Sequence, residues 1–551
     1  MRKIFVPVVI LLMTMGSCKK YLDVNSPNPN SPTTSTPELV LGQSMSRTAS
    51  NLIQFNNYGG WMVGYQANAG GYGGWGAALT YNYGTSDYTG LWGTYDILTD
   101  LQWVLDKTNG SDPYSYYNAI ARILKVFNYK LMVDEYDAIP YFDALKGSGN
   151  TTPAYTPAAD IYKDLYKEID AAIATIRNAV QPVSLTYNLG KADPMFNGDM
   201  TKWLQFANTM KLKLLVRASK TNIFSGVTPT FDAAGFLTTD AMVNPGYGKV
   251  DGQQNPHWSS YHSSVTGGGA ARSIIATFYV STFYNGIKIS DSARRRAIYR
   301  PLSATDYDPV RNQQGEVGPI VDGRLAPTGS SVWYSGNGSS YAFTDDPSNA
   351  IGILKGRGQS QLVLTAAESY FLQAEARMKG IITTGTVTDL FNKGIEASFK
   401  YLYTAADGTY KPNSYITGSA TANPDPVAAA AKYKSESNSL TNNATNYLVN
   451  IDLATTDEQR LEAIITQKYI ALNNIHGQEA WDEYKRTGYP KIDNAGLDQN
   501  KTFVSKASQA TTTDKTIGRI WYPSTEYSLN PKNAPTNISV FGSFVFYDRR
   551  K

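Results

Sequence analysis

Apolar residues recur at steps of three and four in several stretches of this chain, and each such stretch predicts a helix with one buried face. In "DIYKDLYKEIDAAIATIRNAV", residues 160–180, Ile161, Leu165, Ile169, Ile173 and Ile176 fall on one side, behind an entry at Pro157. "DMTKWLQFANTMKLKLLVRAS", residues 199–219, repeats the pattern with Trp203, Phe206, Met210 and Leu214. "TAAESYFLQAEARMKG", residues 365–380, ends on Lys379 and Gly380, a cation for the carbonyl end and a glycine free to turn the chain. "TDEQRLEAIITQKYIALNNI", residues 456–475, predicts another helix. Upstream, Thr36 offers an N-cap and Pro37 a first helical position before "ELVLGQSMSRTASNLI", so the folded body is expected to start near residue 36.

Helices joined by short turns pack as pairs, although no fixed-period repeat is visible. The pattern breaks down over residues 221–360 and 401–450, which are rich in Gly, Ser, Thr, Asn and Tyr. Loops that long are uncommon in compact domains, so these tracts either hold short strands or build a functional face, and a loop-built face on a helical scaffold is the expectation.

The first residues read as a secretory leader. Arg2 and Lys3 precede an apolar run from Ile4 to Met15, then Gly16, Ser17 and Cys18, the only cysteine. Crossing a bilayer takes about 20 apolar residues, more than this run supplies. A lone cysteine at the cleavage point is expected to carry a lipid, which makes residues 1–17 a signal peptide and Cys18 an anchor. Residues 18–35 follow as a tether, since "YLDVNSPNPNSPTTST" has too few apolar residues to pack and enough proline to stay extended. The single domain is then 36–551.

Removing residues 1–17 takes away Arg2 and Lys3 and lowers the formal charge from +4 to +2. Nucleic-acid binders concentrate basic residues, and the densest group here is only Arg294, Arg295 and Arg296, so nucleic acid is not an expected partner. The composition stands out for 39 Tyr beside 19 Phe and 9 Trp, with 17% charged residues. Rings with a hydrogen-bonding tip suit recognition of neutral polar ligands.

Catalytic and metal signatures are sparse. His257 and His262 lie in a loop without a carboxylate or cysteine at ligand spacing, and His476 stands apart, so no metal or cofactor is expected. There is no G-x-S-x-G elbow. "GYGGWG", residues 71–76, matches G-x-G-x-x-G but has no βαβ context. Paired carboxylates of a glycoside hydrolase have no local signature, and nothing singles out a pair among 46 acidic residues.

What the chain does carry is a glycine-aromatic stretch from residue 56 to 96, with Trp61, Tyr65, Tyr72, Trp75, Tyr81, Tyr83, Tyr88 and Trp92. Glycines let the backbone bend around rings, and sugar C–H faces stack on exposed aromatics while Asn, Gln and Tyr meet hydroxyls. Tyr72 and Trp75 read as surface, Trp61 and Trp92 as core. Trp258 and Tyr261 in "NPHWSSYHSS" and Trp333 and Tyr334 in "SSVWYSGNGSSY" form two further groups. The candidate ligand residues are therefore Tyr72, Trp75, Tyr81, Trp258, Tyr261, Trp333 and Tyr334.

Six segments, in order, resemble those of the SusD/RagB-like nutrient-binding outer-membrane lipoproteins of the Bacteroidetes. They are "CKKYLDVN" from Cys18, "LMVDEYDAIPYFDAL" at 131–145, residues 199–219, "AAESYFLQAEA" at 366–376, "EAWDEYKRTGYP" at 479–490 and "GRIWYPSTEYSLN" at 518–530. Asp137 stands where the second motif usually has glycine, so the resemblance does not carry that turn's geometry. It implies a mainly α, tetratricopeptide-like body of helical pairs with long irregular loops forming a binding face. It also implies a lipid-anchored, surface-exposed protein that captures an oligosaccharide, without catalysis, and delivers it to a SusC-like TonB-dependent outer-membrane transporter. A peptide ligand on the same fold and a surface glycoside hydrolase are the alternatives. The shared motifs are mostly helices and helix ends and read as scaffold.

Overall fold

The computed structural model of the chain describes residues 35–179, 186–300, 308–317, 333, 350–411, 425–438 and 443–551. The leader, Cys18, the tether up to residue 34 and Tyr334 lie outside the described residues.

The helices are α1 (Pro37–Met62), α2 (Ala77–Thr80), α3 (Thr94–Thr108), α4 (Ser115–Tyr136), α5 (Ala158–Arg177), α6 (Met200–Arg217), α7 (Pro256–Tyr261), α8 (Phe278–Ser281), α9 (Ser292–Ile298), α10 (Ala366–Met378), α11 (Val387–Tyr403), α12 (Pro426–Asn438), α13 (Asp457–Ala471), α14 (Gly477–Thr487) and α15 (Ser524–Leu529). Neighbours in sequence pack against one another through the array, α3 on α4, α4 on α5, α5 on α6 and α10 on α11, and α6 then packs on α10. This is the expected mainly α architecture of helical pairs.

The periodic segments behave as their patterns dictate. In α5, Ile161, Leu165 and Ile169 are fully buried and Ile173 and Ile176 lie against the same core. Trp203, Phe206, Met210 and Leu214 do the same in α6, whose Asp199 side chain accepts from the amides of Thr201 and Lys202. Thr365, Thr386 and Thr456 cap α10, α11 and α13 in the same way. Thr36 differs. Its side chain makes no cap bond, and its carbonyl accepts from Val40 at 3.1 Å behind Pro37.

Two of the expected irregular tracts contain more structure than their sequences indicate. The first holds β4 (Ala241–Val243), β5 (Ile274–Thr277), β6 (Arg311–Asn312) and the short helices α7 to α9. The second begins in α11 and contains α12, whose alanines favour helix although they make no amphipathic stripe. β1 (Ala67–Asn68) runs antiparallel to β5, which pairs in parallel with β6, while β4 pairs with β7 (Gln361–Leu364) and β2 (Ile139–Pro140) with β3 (Tyr155–Thr156).

The helical core encloses a dense set of ion pairs. Lys213 holds Glu368 at 2.5 Å and Glu479 at 2.9 Å, Arg217 holds Glu479 at 2.8 Å, and Lys468 holds Glu479 at 2.6 Å and Glu483 at 2.9 Å. Arg486 forks onto both oxygens of Glu375 at 2.6 and 2.7 Å, and Lys485 lies 3.0 Å from Glu135 and 2.9 Å from Asp482. Buried charges persist when paired and hydrogen-bonded in this way. Within the arginine triplet, Arg294 is buried and pairs with Asp291, and the half-buried Arg295 pairs with Asp308.

Candidate ligand-binding face

The end of α1 and the three-stranded sheet hold the glycine-aromatic loop. Ala67 and Asn68 pair with Ile275 and Ile274, and the Ala69 amide donates to the Ser273 carbonyl at 2.8 Å, so the chain leaves the sheet at a fixed point. Gly71, Gly74 and Gly76 then take φ of 82°, 85° and 45°, a region that costs a side-chain-bearing residue energy and glycine little. The turn returns the chain to α2. The G-x-G-x-x-G match is thus a loop between a two-residue strand and a four-residue helix.

Trp75 lies on this loop with its ring stacked on that of Trp61, the centroids 5.4 Å apart and the planes 15° from parallel. Trp61 is buried and fixed by donating its Nε1–H to the Ala78 carbonyl at 2.8 Å. Trp75 donates its own Nε1–H to the Tyr72 carbonyl at 3.0 Å, and the Tyr72 side chain is 41% exposed. An open cavity of about 510 Å³ is lined by residues 71–76, Leu79 and Val317, the last 60% exposed. No carboxylate occurs in its described lining.

The other candidate rings lie below this face. Tyr81 is buried, donates its hydroxyl to Gln314 Oε1 at 2.6 Å and accepts from the Ser505 amide at 3.2 Å. Trp258 is fully buried, stacks on His262 at 3.8 Å and donates to Ser263 Oγ at 3.1 Å. Tyr261 and Trp333 are buried edge to face with centroids 6.1 Å apart, and the Tyr261 hydroxyl bonds Asn57 and accepts from Gln66 Nε2 at 2.7 Å. These four rings are therefore core rather than surface: hydrogen bonds to interior groups hold Tyr81, Trp258 and Tyr261, and Trp333 packs against the rings of Tyr261 and Tyr299. Of the candidates among the described residues, only Tyr72 and Trp75 are brought together at solvent. Trp61 is core, as its pattern indicates, and Trp92 is half-buried against Tyr95, Tyr136 and Tyr522.

Gln314 is the residue that sequence reasoning missed. Its amide nitrogen donates to the carbonyls of Trp61 at 2.6 Å and Gln66 at 2.8 Å while its oxygen accepts from Tyr81. One side chain thereby ties the platform, the sheet and the far end of the loop together, and no local pattern marks it. The histidines serve packing: burial pushes the His257 imidazole down to about 3, so it stays neutral. Among the described residues no group of three or more His, Cys, Asp or Glu is placed to hold a metal ion, and no helix is long and apolar enough to cross a membrane.

Comparison with known proteins gives a consistent outcome. A SusD-like family model described as "Starch-binding associating with outer membrane" matches residues 29–509. A SusD homolog from Bacteroides uniformis is similar in structure, with TM-score 0.62 and 24% identity over 93% of this chain and 99% of its own. Another from Bacteroides fragilis gives TM-score 0.64 at 19% identity, covering 94% and 100%. A chitin-binding SusD homolog from Flavobacterium johnsoniae gives TM-score 0.60 at 22% identity, covering 92% and 98%. No curated protein matches the chain.

Proposed function

We propose, for a chain that belongs to the SusD-like family of outer-membrane-associated proteins, that it captures a neutral oligosaccharide at the cell surface and passes it on without breaking a bond. A lipid on Cys18 holds it to the outer membrane, and a SusC-like TonB-dependent transporter receives the ligand. The single domain from residue 36 is the capturing body.

The observation that carries this reading is the half-open aromatic loop. Trp61 occupies one face of Trp75 and fixes its plane, so the remaining exposed surface of the ring is offered beside Tyr72 with little conformational entropy left to lose on binding. An apolar ring surface in a cavity bounded by glycine backbone suits the C–H face of a sugar. A described lining without acidic groups favours binding over glycoside hydrolysis, which requires two carboxylates. The chitin-binding relative supports the glycan class. A peptide ligand would instead use backbone pairing or charge, for which the loop offers less.

The test is calorimetric titration of the mature chain, made soluble by Cys18→Ser, with panels of neutral oligosaccharides and peptides. One glycan class should bind with a change in tryptophan fluorescence, and Trp75→Ala should weaken it by about tenfold, equivalent to about 1.4 kcal/mol. Trp258→Ala, in the core, should instead cost about 3–5 kcal/mol of stability in denaturant melts. Binding of peptides alone, or full affinity in Trp75→Ala, would overturn the assignment.

A further inference from the structure

A second cavity, of about 340 Å³, lies between the start of α6, the β4–β7 pair and the end of α11 and shares no lining residue with the aromatic loop. Lys355, Asp240, Gln359 and Tyr401 line it, with Lys202 and Lys400 exposed at its rim. Its volume falls near the low end of small-molecule sites, roughly 300–1,000 Å³.

Lys355 is the anomaly. It is 8% exposed, donates its ammonium to the Tyr401 carbonyl at 2.6 Å and lies 3.6 Å from the centroid of the Tyr401 ring. The other buried lysines described each have a carboxylate close by: Lys130, Lys211 and Lys213 at 2.5 Å, Lys468 at 2.6 Å and Lys485 at 2.9 Å. Lys355 has none within 4 Å among the described residues. Asp240 faces the same cavity, but its Oδ1 is held by the Ala366 amide at 2.7 Å, at the start of α10. Lys202 and Lys400 also lack ion pairs among the described residues, so three ammonium groups face one carboxylate. A buried ammonium without a partner anion is costly.

We infer that this cavity is a second ligand site, for a sugar unit bearing one oxyanion, a carboxylate or a sulfate ester, that docks on Lys355 while Asp240 meets its hydroxyls. The site rests on its own geometry and stands whether or not the aromatic loop binds glycan. Burial pulls the Lys355 ammonium down to about 7, with Asp240 opposing only in part. The groups facing it are Asp240, Lys202, Lys400 and the Tyr401 phenol, and His476, outside the cavity lining, also acts electrostatically on Asp240. A bound oxyanion restores the charge on Lys355. Affinity is thus highest when the amine is already protonated and falls as pH rises past 7.

The test uses the full chain in detergent, titrated with glucuronate, N-acetylglucosamine 6-sulfate, glucose and inorganic sulfate. Glucuronate or the sulfated sugar should bind at least tenfold tighter than glucose and than inorganic sulfate. That binding should be about tenfold weaker at pH 8 than at pH 6, be lost in Lys355→Met and be unchanged in Trp75→Ala. Should Lys355→Met fail to fold, the exposed Lys400→Glu decides, with a severalfold loss expected. Equal binding of glucose, equal binding of inorganic sulfate, a flat pH profile or full affinity in these lysine variants would overturn the site.

Discussion

Asp137 has φ 60° and ψ −104°, torsions that glycine adopts freely and other residues seldom do. It ends α4, and its Oδ1 accepts from the Phe546 amide at 2.7 Å, tying that turn to the C-terminal segment. The aspartate thus trades backbone strain for a half-buried hydrogen bond. Asp137→Ala keeps the strain and loses the bond, whereas Asp137→Gly loses the bond and relieves the strain. Urea melts should rank the alanine variant below the glycine variant by about 1 kcal/mol, and the reverse order would show that the torsion is not strained. The same local dependence separates Trp75 from Trp258. Both lie among glycines, serines and tyrosines in sequence, yet one ring caps an open loop and the other stacks on His262 in the core.

At the scale of elements, α1 and α14 cross through glycine. A Cβ on Gly59 would lie 2.2 Å from the backbone of Gln478, and one on Gly477 would lie 2.3 Å from the Gly60 nitrogen. Asn56 strengthens the crossing by accepting from the Gly477 amide at 2.8 Å. Since neither backbone can yield without moving a whole helix, Gly59→Ala should destabilise by about 3 kcal/mol or more, read as a lower denaturation midpoint. A near-neutral effect would mean that the helices separate easily. The helices themselves are legible because a 3.6-residue period needs only its own segment, as in α5 and α6. Their crossing is not, because "NNYGGW" reads equally well as a loop until Gly477 is seen against it. α12 escaped the periodic reading because its alanine face carries little contrast.

Across the whole molecule, the buried ion pairs join α4, α6, α10, α13 and α14 into one electrostatic unit. Burial pushes the carboxyls of Glu368 and Glu483 up, but Lys213 acting on the first, and Arg486, Lys468 and Arg217 on the second, more than offset it, leaving both at about 2. Glu479 is likewise held well below its usual range against burial, by Arg217, Lys213, Lys468 and Lys130. Folded-state values below the unfolded value of about 4.3 mean that the stabilisation is complete above that pH and is lost as pH falls toward 2. Thermal melts between pH 5 and 2 should therefore show a steep loss of Tm, and Glu479→Gln, which removes one of these titrating carboxylates and the repulsion it exerts on Glu368 and Glu483, should lower Tm at pH 5 and make the loss on acidification shallower. A flat profile would show that the pairs contribute nothing net. The sequence by itself determined the helical faces, the order of the six family segments and the absence of recognisable catalytic motifs, because each depends on residues near one another in the chain. Only the tertiary structure decided which aromatic rings reach solvent, that Gln314 binds the loop to its platform, and that Lys355 alone of the described buried lysines lacks a carboxylate partner. Exposure and charge pairing depend on what distant segments bring alongside, and no local pattern records that.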